Sequence, residues 1–516
     1  MNYIFKLSIL ILFANHTITA FAQTKVTVTF DPKEDAPQIS KHIYGHFAEH
    51  LGRCIYGGFY VGEDSEIPNL DGVRKDIIAA LRDMKIPNLR WPGGCFADTY
   101  HWKDGIGDKS SRPTIVNQWW GGVTEDNSFG THDFLNLCEA LDTEPYISGN
   151  IGSGTVREFA DWIQYVNHDG VSPMADLRRE NGREQPWDVR FWGLGNEAWG
   201  CGGHMTAAYY SNLYRQYATY MTDWSNSSDL YRIASGASDG NYNWTEVLMK
   251  NIPKNLIEAV ALHSYSVIDW GNKGSATDFS DVQYFQTMQR AHKMEEYITK
   301  HTAIMDNYDP ENTIDLIVDE WGGWYDVEPG TNPGFLYQQN TMRDAMIAGM
   351  TLNIFNNHAE RVKMANLAQT VNVLQAVILT EGEKLILTPT YHVLKMYAIH
   401  QDAQLIPVNF DPPYFKKMGE SLPAISISAS KDQNDQISIS LVNIDDSKAH
   451  EVSLDVSKLG VAAFEGSILV SNALQDYNDF DNPGVISPKP LKKVKVKNGM
   501  ATLQLPPFSV VVIKGN

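Results

Sequence analysis

The chain has 516 residues but only four cysteines, Cys54, Cys95, Cys138 and Cys201. So few thiols make no dense disulfide framework, and no pair of them has zinc-ligand spacing. The 15 histidines are scattered, and none falls in a His-Glu-x-x-His pattern, so neither a metal nor an organic cofactor is implied. Positive charge is scarce as well: 42 Lys and Arg stand against 62 Asp and Glu, a formal charge of −20. A surface that acidic repels phosphate backbones and argues against nucleic acid as a partner. No apolar run is long enough to span a bilayer, so membrane insertion is not expected. No Gly-x-Gly-x-x-Gly follows the first strand candidate, which argues against a dinucleotide-binding sheet. Internal repeats, low-complexity tracts and Gly/Ser- or Pro-rich linkers are also missing, and two closely packed domains are the expectation.

What is present begins at the N-terminus. Lys6, the apolar run Leu7 to Ala14 and Ala20-Phe21-Ala22 before Gln23 form the pattern of a secretory signal peptide over residues 1–22. That pattern predicts export to the periplasm or the exterior. Its removal takes away Lys6 and no acid, so the charge moves from −20 to −21. Cys138 lies on an apolar helical face, Phe134 to Cys138, and reads as core packing. Cys54, Cys95 and Cys201 lie within a few residues of the motifs described below. That proximity permits a disulfide, and the sequence leaves the pairing open.

Eight segments share one grammar, an apolar β-rich run that ends in polar residues and precedes a helical stretch. They are residues 42–49, 87–93, 145–152, 189–197, 232–239, 259–265, 314–321 and 362–369. Helix candidates between them include 72–85, 133–141, 205–224 and 335–353. The eightfold alternation predicts an α/β fold, a (β/α)8 TIM barrel over residues 39–396. Beyond it, residues 425–429, 437–441, 452–456, 494–496 and 502–505 alternate apolar and polar with period two. This predicts a C-terminal antiparallel β-sandwich, jelly-roll-like, over residues 397–516. Residues 25–30 alternate in the same way, so segment 23–38 should lend the sandwich an N-terminal strand.

Two barrel strands close on Gly195-Asn196-Glu197 and on Val318-Asp319-Glu320-Trp321. Reacting groups of such barrels sit at the C-terminal strand ends. Glu197 ends the fourth strand and Glu320 the seventh, so the two carboxylates face each other across the mouth. Glycoside hydrolysis with retention needs two carboxylates about 5–5.5 Å apart, one a nucleophile and one an acid/base. Either string alone is a commonplace strand-end glutamate, in a salt bridge or a helix cap. The pair at these two strand ends is specific.

With these residues in view, the chain resembles the α-L-arabinofuranosidases of glycoside hydrolase family 51. The resemblance rests on Ile43 to Arg53, Leu89-Arg90-Trp91-Pro92-Gly93-Gly94, Gly195-Asn196-Glu197, His263-Ser264-Tyr265, Val318 to Trp321 and Ala365 to Gln369, in that order. It implies that Glu197 is the acid/base and Glu320 the nucleophile. It further implies that Asn196 bonds the sugar 2-hydroxyl, and that Glu49 and Arg90 hold sugar hydroxyls while Arg90 keeps nearby carboxylates ionised. Tyr265 would hydrogen-bond the nucleophile, Gln369 close the pocket and Trp324 wall the furanose ring. Cys95 stands where many relatives carry Asn, so its contact with the sugar would differ, a thiol bonding more weakly than an amide. The loop from Gly200 to His204 would shape the leaving-group side, and Trp119-Trp120 would form a sugar-stacking rim.

The resemblance implies an exo-acting enzyme that releases terminal arabinofuranose from arabinan, arabinoxylan and their oligosaccharides, with a homo-oligomer as the expected assembly. Each supporting residue also has an ordinary structural reading: Arg90 as a plain ion-pair partner, Tyr265 and Trp324 as core aromatics, Asn366 and Gln369 as helix caps. Two other functions share the barrel, an endo-acting β-glucanase or xylanase and a non-catalytic carbohydrate-binding protein. A pocket closed by Glu49, Arg90 and Gln369 favours a terminal sugar over an open cleft, and the presence of both glutamates argues against a dead barrel.

Overall fold

The eight predicted strands close on one another as a parallel barrel in a computed structural model, which describes residues 25–225 and 229–516. The stretch 1–22 read as a signal peptide lies outside the described residues. After an N-terminal strand β1 (Lys25–Phe30), the barrel strands are β2 (Gly45–Phe47), β3 (Asn88–Trp91), β4 (Glu144–Gly149), β5 (Phe191–Leu194), β6 (Tyr231–Ser238), β7 (Ala259–Ser266), β8 (Asp315–Gly323) and β9 (Val362–Ala368). Every neighbouring pair is parallel, and β9 returns to β2. Tyr146, Phe191, Ile233, Ala259, Ala261, Ile317 and Met364 form a separate buried cluster of strand residues that fills the barrel. Alternate residues such as Leu316 and Val318 join the larger cluster under the helices.

Several helices begin where a short polar side chain caps them. Thr155 accepts from Glu158 N at α3 (Val156–Asn167), and Thr206 accepts from Tyr209 N at α5 (Ala207–Tyr220), counting α1 as Lys75–Met84, α2 as Thr131–Leu141 and α4 as Pro173–Glu180. After α6 (Tyr242–Asn251) and α7 (Asp281–Tyr308) comes α8 (Met342–Asn357), capped reciprocally by Thr341 and Asp344. The sequence places this helix at 335–353. It starts later because residues 333–335 form a separate 3-10 turn and the capping box fixes Thr341 as the boundary.

Beyond α9 (Pro389–Tyr397), the sandwich strands are β10 (Gln404–Leu405), β11 (Val408–Asn409), β12 (Ile425–Lys431), β13 (Ile437–Asn443), β14 (His450–Asp455), β15 (Ala463–Leu469), β16 (Lys489–Lys495), β17 (Met500–Leu505) and β18 (Ser509–Gly515). One sheet runs β11-β1-β14-β17 and the other β10-β12-β13-β18-β15-β16. The N-terminal strand joins the sandwich, with Val26, Val28 and Phe30 inward, but it lies parallel to β14. The sandwich is therefore not wholly antiparallel.

Helix α8 explains why no linker is needed. From Met342 to Asn356 it is buried on all sides, with the barrel on one face and the six-stranded sheet on the other. A polar seam crosses that junction. Ser428 and Ser440 donate to Asn353 Oδ1 at 2.9 and 2.7 Å, and Asn356 Nδ2 donates to Ser428 Oγ at 3.0 Å.

Candidate active site

Strand β5 ends at Leu194, and the chain turns at Gly195 with φ +78°. Glu197 itself has φ +41°, a left-handed conformation that non-glycine residues keep only where neighbours impose it. Those neighbours are identifiable. The buried Asp98 carboxylate accepts the backbone N–H groups of Asn196, Ile151 and Gly152 at 2.8, 2.9 and 2.8 Å. The Glu197 carbonyl accepts from Gly200 N and Gly202 N, and a disulfide ties Cys201 to Cys95 in the loop after β3. Three loops thus converge on one turn.

Glu320 enters from β8, whose register sets it beside His263 of β7. Its Oε1 accepts from Arg90 Nη1 at 2.9 Å and its Oε2 from the Tyr265 hydroxyl at 2.8 Å. His263 Nδ1 lies 3.0 Å from Glu197 Oε1 and 3.5 Å from Glu320 Oε2, while its Nε2 lies 3.1 Å from Asp319 Oδ1. A carboxylate oxygen of Glu197 lies within 4.8 Å of one of Glu320. That separation suits direct attack by one carboxylate, because an intervening catalytic water needs about 6.5–9.5 Å.

The charges of this cluster are set by burial and by mutual contact. Burial and then repulsion from Glu320 hold the Glu197 carboxyl above its ordinary range, against the pull of His263. For His263 burial acts downward, but Glu320 and Asp319 outweigh it and push the imidazole up to about 10. Burial acts upward on Asp319, yet Arg90 and His263 together hold it below its ordinary value. The Arg90 guanidinium is fully buried and shared among the Asp319 carbonyl, Glu320 and Asn196 Oδ1, the last at 2.7 Å.

A second buried group lies across the mouth. Glu49 accepts from Gly94 N, Phe96 N and Trp120 Nε1 on Oε1, and from Gln369 Nε2 on Oε2 at 3.0 Å. Burial and then Glu320 raise it to about 7. The double glycine is steric: a Cβ at Gly93 would meet Glu49 Cγ at 2.6 Å, and one at Gly94 would meet Glu320 Oε1 at 2.8 Å. Trp120, expected as a stacking rim, has its indole nitrogen turned onto Glu49. Cys95 has no thiol to offer, because its sulfur is bonded to Cys201. Trp324 packs edge-on against Tyr265 at 5.1 Å and is partly exposed.

All nine residues singled out from the sequence therefore converge on one barrel mouth. Asn366 does not reach it, since its Nδ2 donates to His46 O and Asn88 Oδ1 between strands. Sequence reasoning passed over His263 and Asp319 although both lie inside the quoted motifs, and it missed Asp98 altogether. No local signal marks Asp98, whose partners come from two other loops. Two groups among the described residues bring metal-type donors together, Cys95/Glu197/Cys201 and Glu197/His263/Glu320. In the first the sulfurs are bonded to each other. In the second both imidazole nitrogens face carboxylates, Nδ1 at 3.0 Å from Glu197 and Nε2 at 3.1 Å from Asp319.

Paired glutamates at the strand ends of an eight-stranded barrel define a glycoside hydrolase. Residues 80–290 match the family described as the alpha-L-arabinofuranosidase 1 domain, and residues 319–509 match the alpha-L-arabinofuranosidase C-terminal domain. An intracellular exo-alpha-L-arabinofuranosidase of Bacteroides ovatus is 48% identical over 511 residues, 99% of each chain. The chain belongs to the α-L-arabinofuranosidases of glycoside hydrolase family 51. Its structure is similar to the family 51 arabinofuranosidase from Xanthomonas axonopodis pv. citri, with TM-score 0.94, 45% identity and 96% and 100% of the two chains covered. The α-L-arabinofuranosidase of Thermotoga maritima, solved as an arabinose complex, aligns with TM-score 0.83 and 31% identity over 95% and 99%.

The relatives correct one expectation. The apolar start predicts export, but the Bacteroides relative, which spans 99% of this chain, is named intracellular and points away from it. A charged residue, a short apolar run and a small-x-small triplet form a compositional pattern of few residues, which a chain can carry without being exported.

Proposed function

We propose that this arabinofuranosidase is exo-acting and retaining, and removes terminal α-L-arabinofuranosyl residues from arabinan, arabinoxylan and derived oligosaccharides. The observation that carries the reading is the close approach of Glu197 to Glu320, bridged by His263. Glu320 attacks the anomeric carbon while Glu197, protonated through its buried setting, delivers its proton to the departing glycosidic oxygen. The product is an arabinosyl ester of Glu320 and a free leaving group. Glu197, now a carboxylate, takes a proton from water, whose oxygen attacks the anomeric carbon and releases Glu320. Two inversions give net retention.

The remaining residues divide into sugar holders and positioning groups. Glu49, Asn196 and Gln369 are buried at the barrel mouth, and Gln369 Oε1 has no hydrogen-bond partner among the described residues, ready to accept from a sugar hydroxyl. Arg90 donates through Nη1 to the Asp319 carbonyl and Glu320 and through Nη2 to Asn196, so its part is to keep Glu320 ionised and orient Asn196. Tyr265 donates to the same nucleophile, Trp324 walls the ring, and Cys95 acts through its disulfide. Buried polar groups gathered beside the two glutamates suit one terminal sugar better than an endo-acting cleft.

The stereochemistry is tested by proton NMR of the first turnover of a methyl α-L-arabinofuranoside. The α-anomer of arabinose should appear before mutarotation, and β-arabinose appearing first would rule out the double displacement.

A further inference from the structure

The mechanism uses Glu197 but not the two sulfurs beside it. Cys201 Sγ lies 3.8 Å from Glu197 Oε2, and Asn196 Nδ2 donates to the same sulfur at 3.8 Å. The sulfurs of Cys95 and Cys201 and a Glu197 carboxylate oxygen all lie within 4.8 Å of one another. The two cysteines are 106 positions apart, so no zinc-type spacing marks them and the fold alone unites them. Both are half-buried at the barrel mouth, within reach of small solutes.

While the sulfurs are bonded to each other they are poor ligands, since a metal takes the thiolate. A small dithiol changes that. It passes two electrons and two protons to the Cys95–Cys201 bond, closes to its own cyclic disulfide and leaves two thiols. A tetrahedral zinc with Zn–S bonds of about 2.3 Å holds its two sulfurs about 3.8 Å apart. The Cα atoms of the pair are 5.4 Å apart, so side-chain rotation suffices to reach that spacing. The same geometry asks for about 3.6 Å between sulfur and a carboxylate oxygen, close to the 3.8 Å already present. Two thiolates and a carboxylate are donor types that zinc accepts.

We propose that reduction of the Cys95–Cys201 bond creates a zinc site on Cys95 Sγ, Cys201 Sγ and Glu197 Oε2, and that the bound ion silences the enzyme. Binding releases the two thiol protons and the Glu197 carboxyl proton, and water fills the fourth position. Glu197 then has no proton for the departing oxygen. The silencing rests on the reading of Glu197 as acid/base, whereas the site itself does not.

The test reduces wild type with dithiothreitol, removes the dithiol by anaerobic gel filtration and titrates with Zn²⁺, and with Co²⁺ as its coloured stand-in. The reduced protein should take up one metal per chain and, with Co²⁺, gain the absorption of thiolate-to-metal charge transfer. Relative to the reduced, metal-free enzyme, hydrolysis of α-1,5-linked arabinobiose should fall about 10²-fold, as on loss of a general acid, and return with a chelator. Oxidised protein should show none of this. Glu197→Gln should keep the absorption but bind Co²⁺ at least about tenfold more weakly, and Cys95→Ser/Cys201→Ser should lose it. Four results overturn the site: a bond that resists excess dithiol, equal inhibition of oxidised protein, absorption that survives in the double serine variant, or Co²⁺ binding unchanged in Glu197→Gln. Metal held as expected with arabinobiose hydrolysis unimpaired overturns the acid/base reading of Glu197 instead.

Discussion

His263 Nδ1 lies 3.0 Å from Glu197 Oε1 and 3.5 Å from Glu320 Oε2, so one imidazolium touches both glutamates. Its positive charge opposes the burial and the Glu320 repulsion that raise Glu197. Removing the cation with His263→Ala removes a lowering influence, so Glu197 keeps its proton to higher pH. The alkaline limb of the kcat/KM–pH profile should therefore move upward, and a downward shift would contradict the assignment. Stability has its own sign. His263 titrates near 6.5 when unfolded and is raised to about 10 when folded, so its contribution is complete below pH 6.5 and fades as pH climbs toward 10. The gap in melting temperature between wild type and the variant should narrow over that window.

Glu197→Ala separates acid catalysis from the rest of the site. Aryl leaving groups that depart without protonation should lose little in bond cleavage, whereas sugar leaving groups should lose roughly 10²–10⁴-fold in rate. Rates measured across a series of leaving groups check this. A uniform loss would count against the acid role.

The double glycine after β3 makes a steric prediction. In Gly94→Ala the added Cβ would meet Glu320 Oε1 at 2.8 Å and Asn196 Nδ2 at 3.3 Å. The carboxylate must give way, and a displacement approaching 1 Å costs about 10²-fold in rate. The loss should appear in kcat while circular dichroism and melting stay near wild type.

The barrel and its two glutamates were legible because each is local: β-rich runs, helical stretches and a carboxylate at a strand end all occupy neighbouring positions. All eight predicted segments overlap barrel strands, from β2 within 42–49 to β9 within 362–369. What was not legible depends on contacts between distant residues. The parallel pairing of β1 with β14 joins Lys25 to Glu451, and nothing in the alternation of either strand specifies direction. Strand β15 escaped notice because only Phe464 and Leu469 of its seven residues are buried, which leaves a weak period-two signal. Nothing local to Trp120 marks its hydrogen bond to Glu49, which spans 71 positions.

The Cys95–Cys201 bond closes a loop with a sequence separation of 106 residues and ends four residues after Glu197. In the chain-entropy account, a loop of that size is worth about 4–5 kcal/mol through the unfolded state. A Cys95→Ser/Cys201→Ser double variant should therefore melt several degrees lower, as read by calorimetry. Wild type treated with a phosphine reductant should behave alike, and an unchanged melting temperature in both would show that the cross-link is not structural.

Asp98 offers the sharpest separation between positioning and chemistry, because it touches no reacting group and yet holds the turn that carries Glu197. Its two oxygens accept three backbone N–H groups, from Asn196, Ile151 and Gly152, and burial with these bonds leaves the carboxyl raised to about 6. Asp98→Ala leaves three buried donors without partners, each costing about 1–3 kcal/mol, so both stability and rate should fall. Asp98→Asn is the more discriminating variant. Its carbonyl keeps the acceptor for one side, while its amide faces a backbone donor on the other and cannot bond it. The turn should open at Asn196 or at Ile151 while the barrel stays folded. The expected signature is a fall in kcat of about tenfold or more, with KM for the methyl arabinofuranoside little changed and the leaving-group dependence steepened, as for a displaced acid. If Asp98→Asn instead raised KM alone, the carboxylate would be acting on the sugar pocket and not on the acid/base.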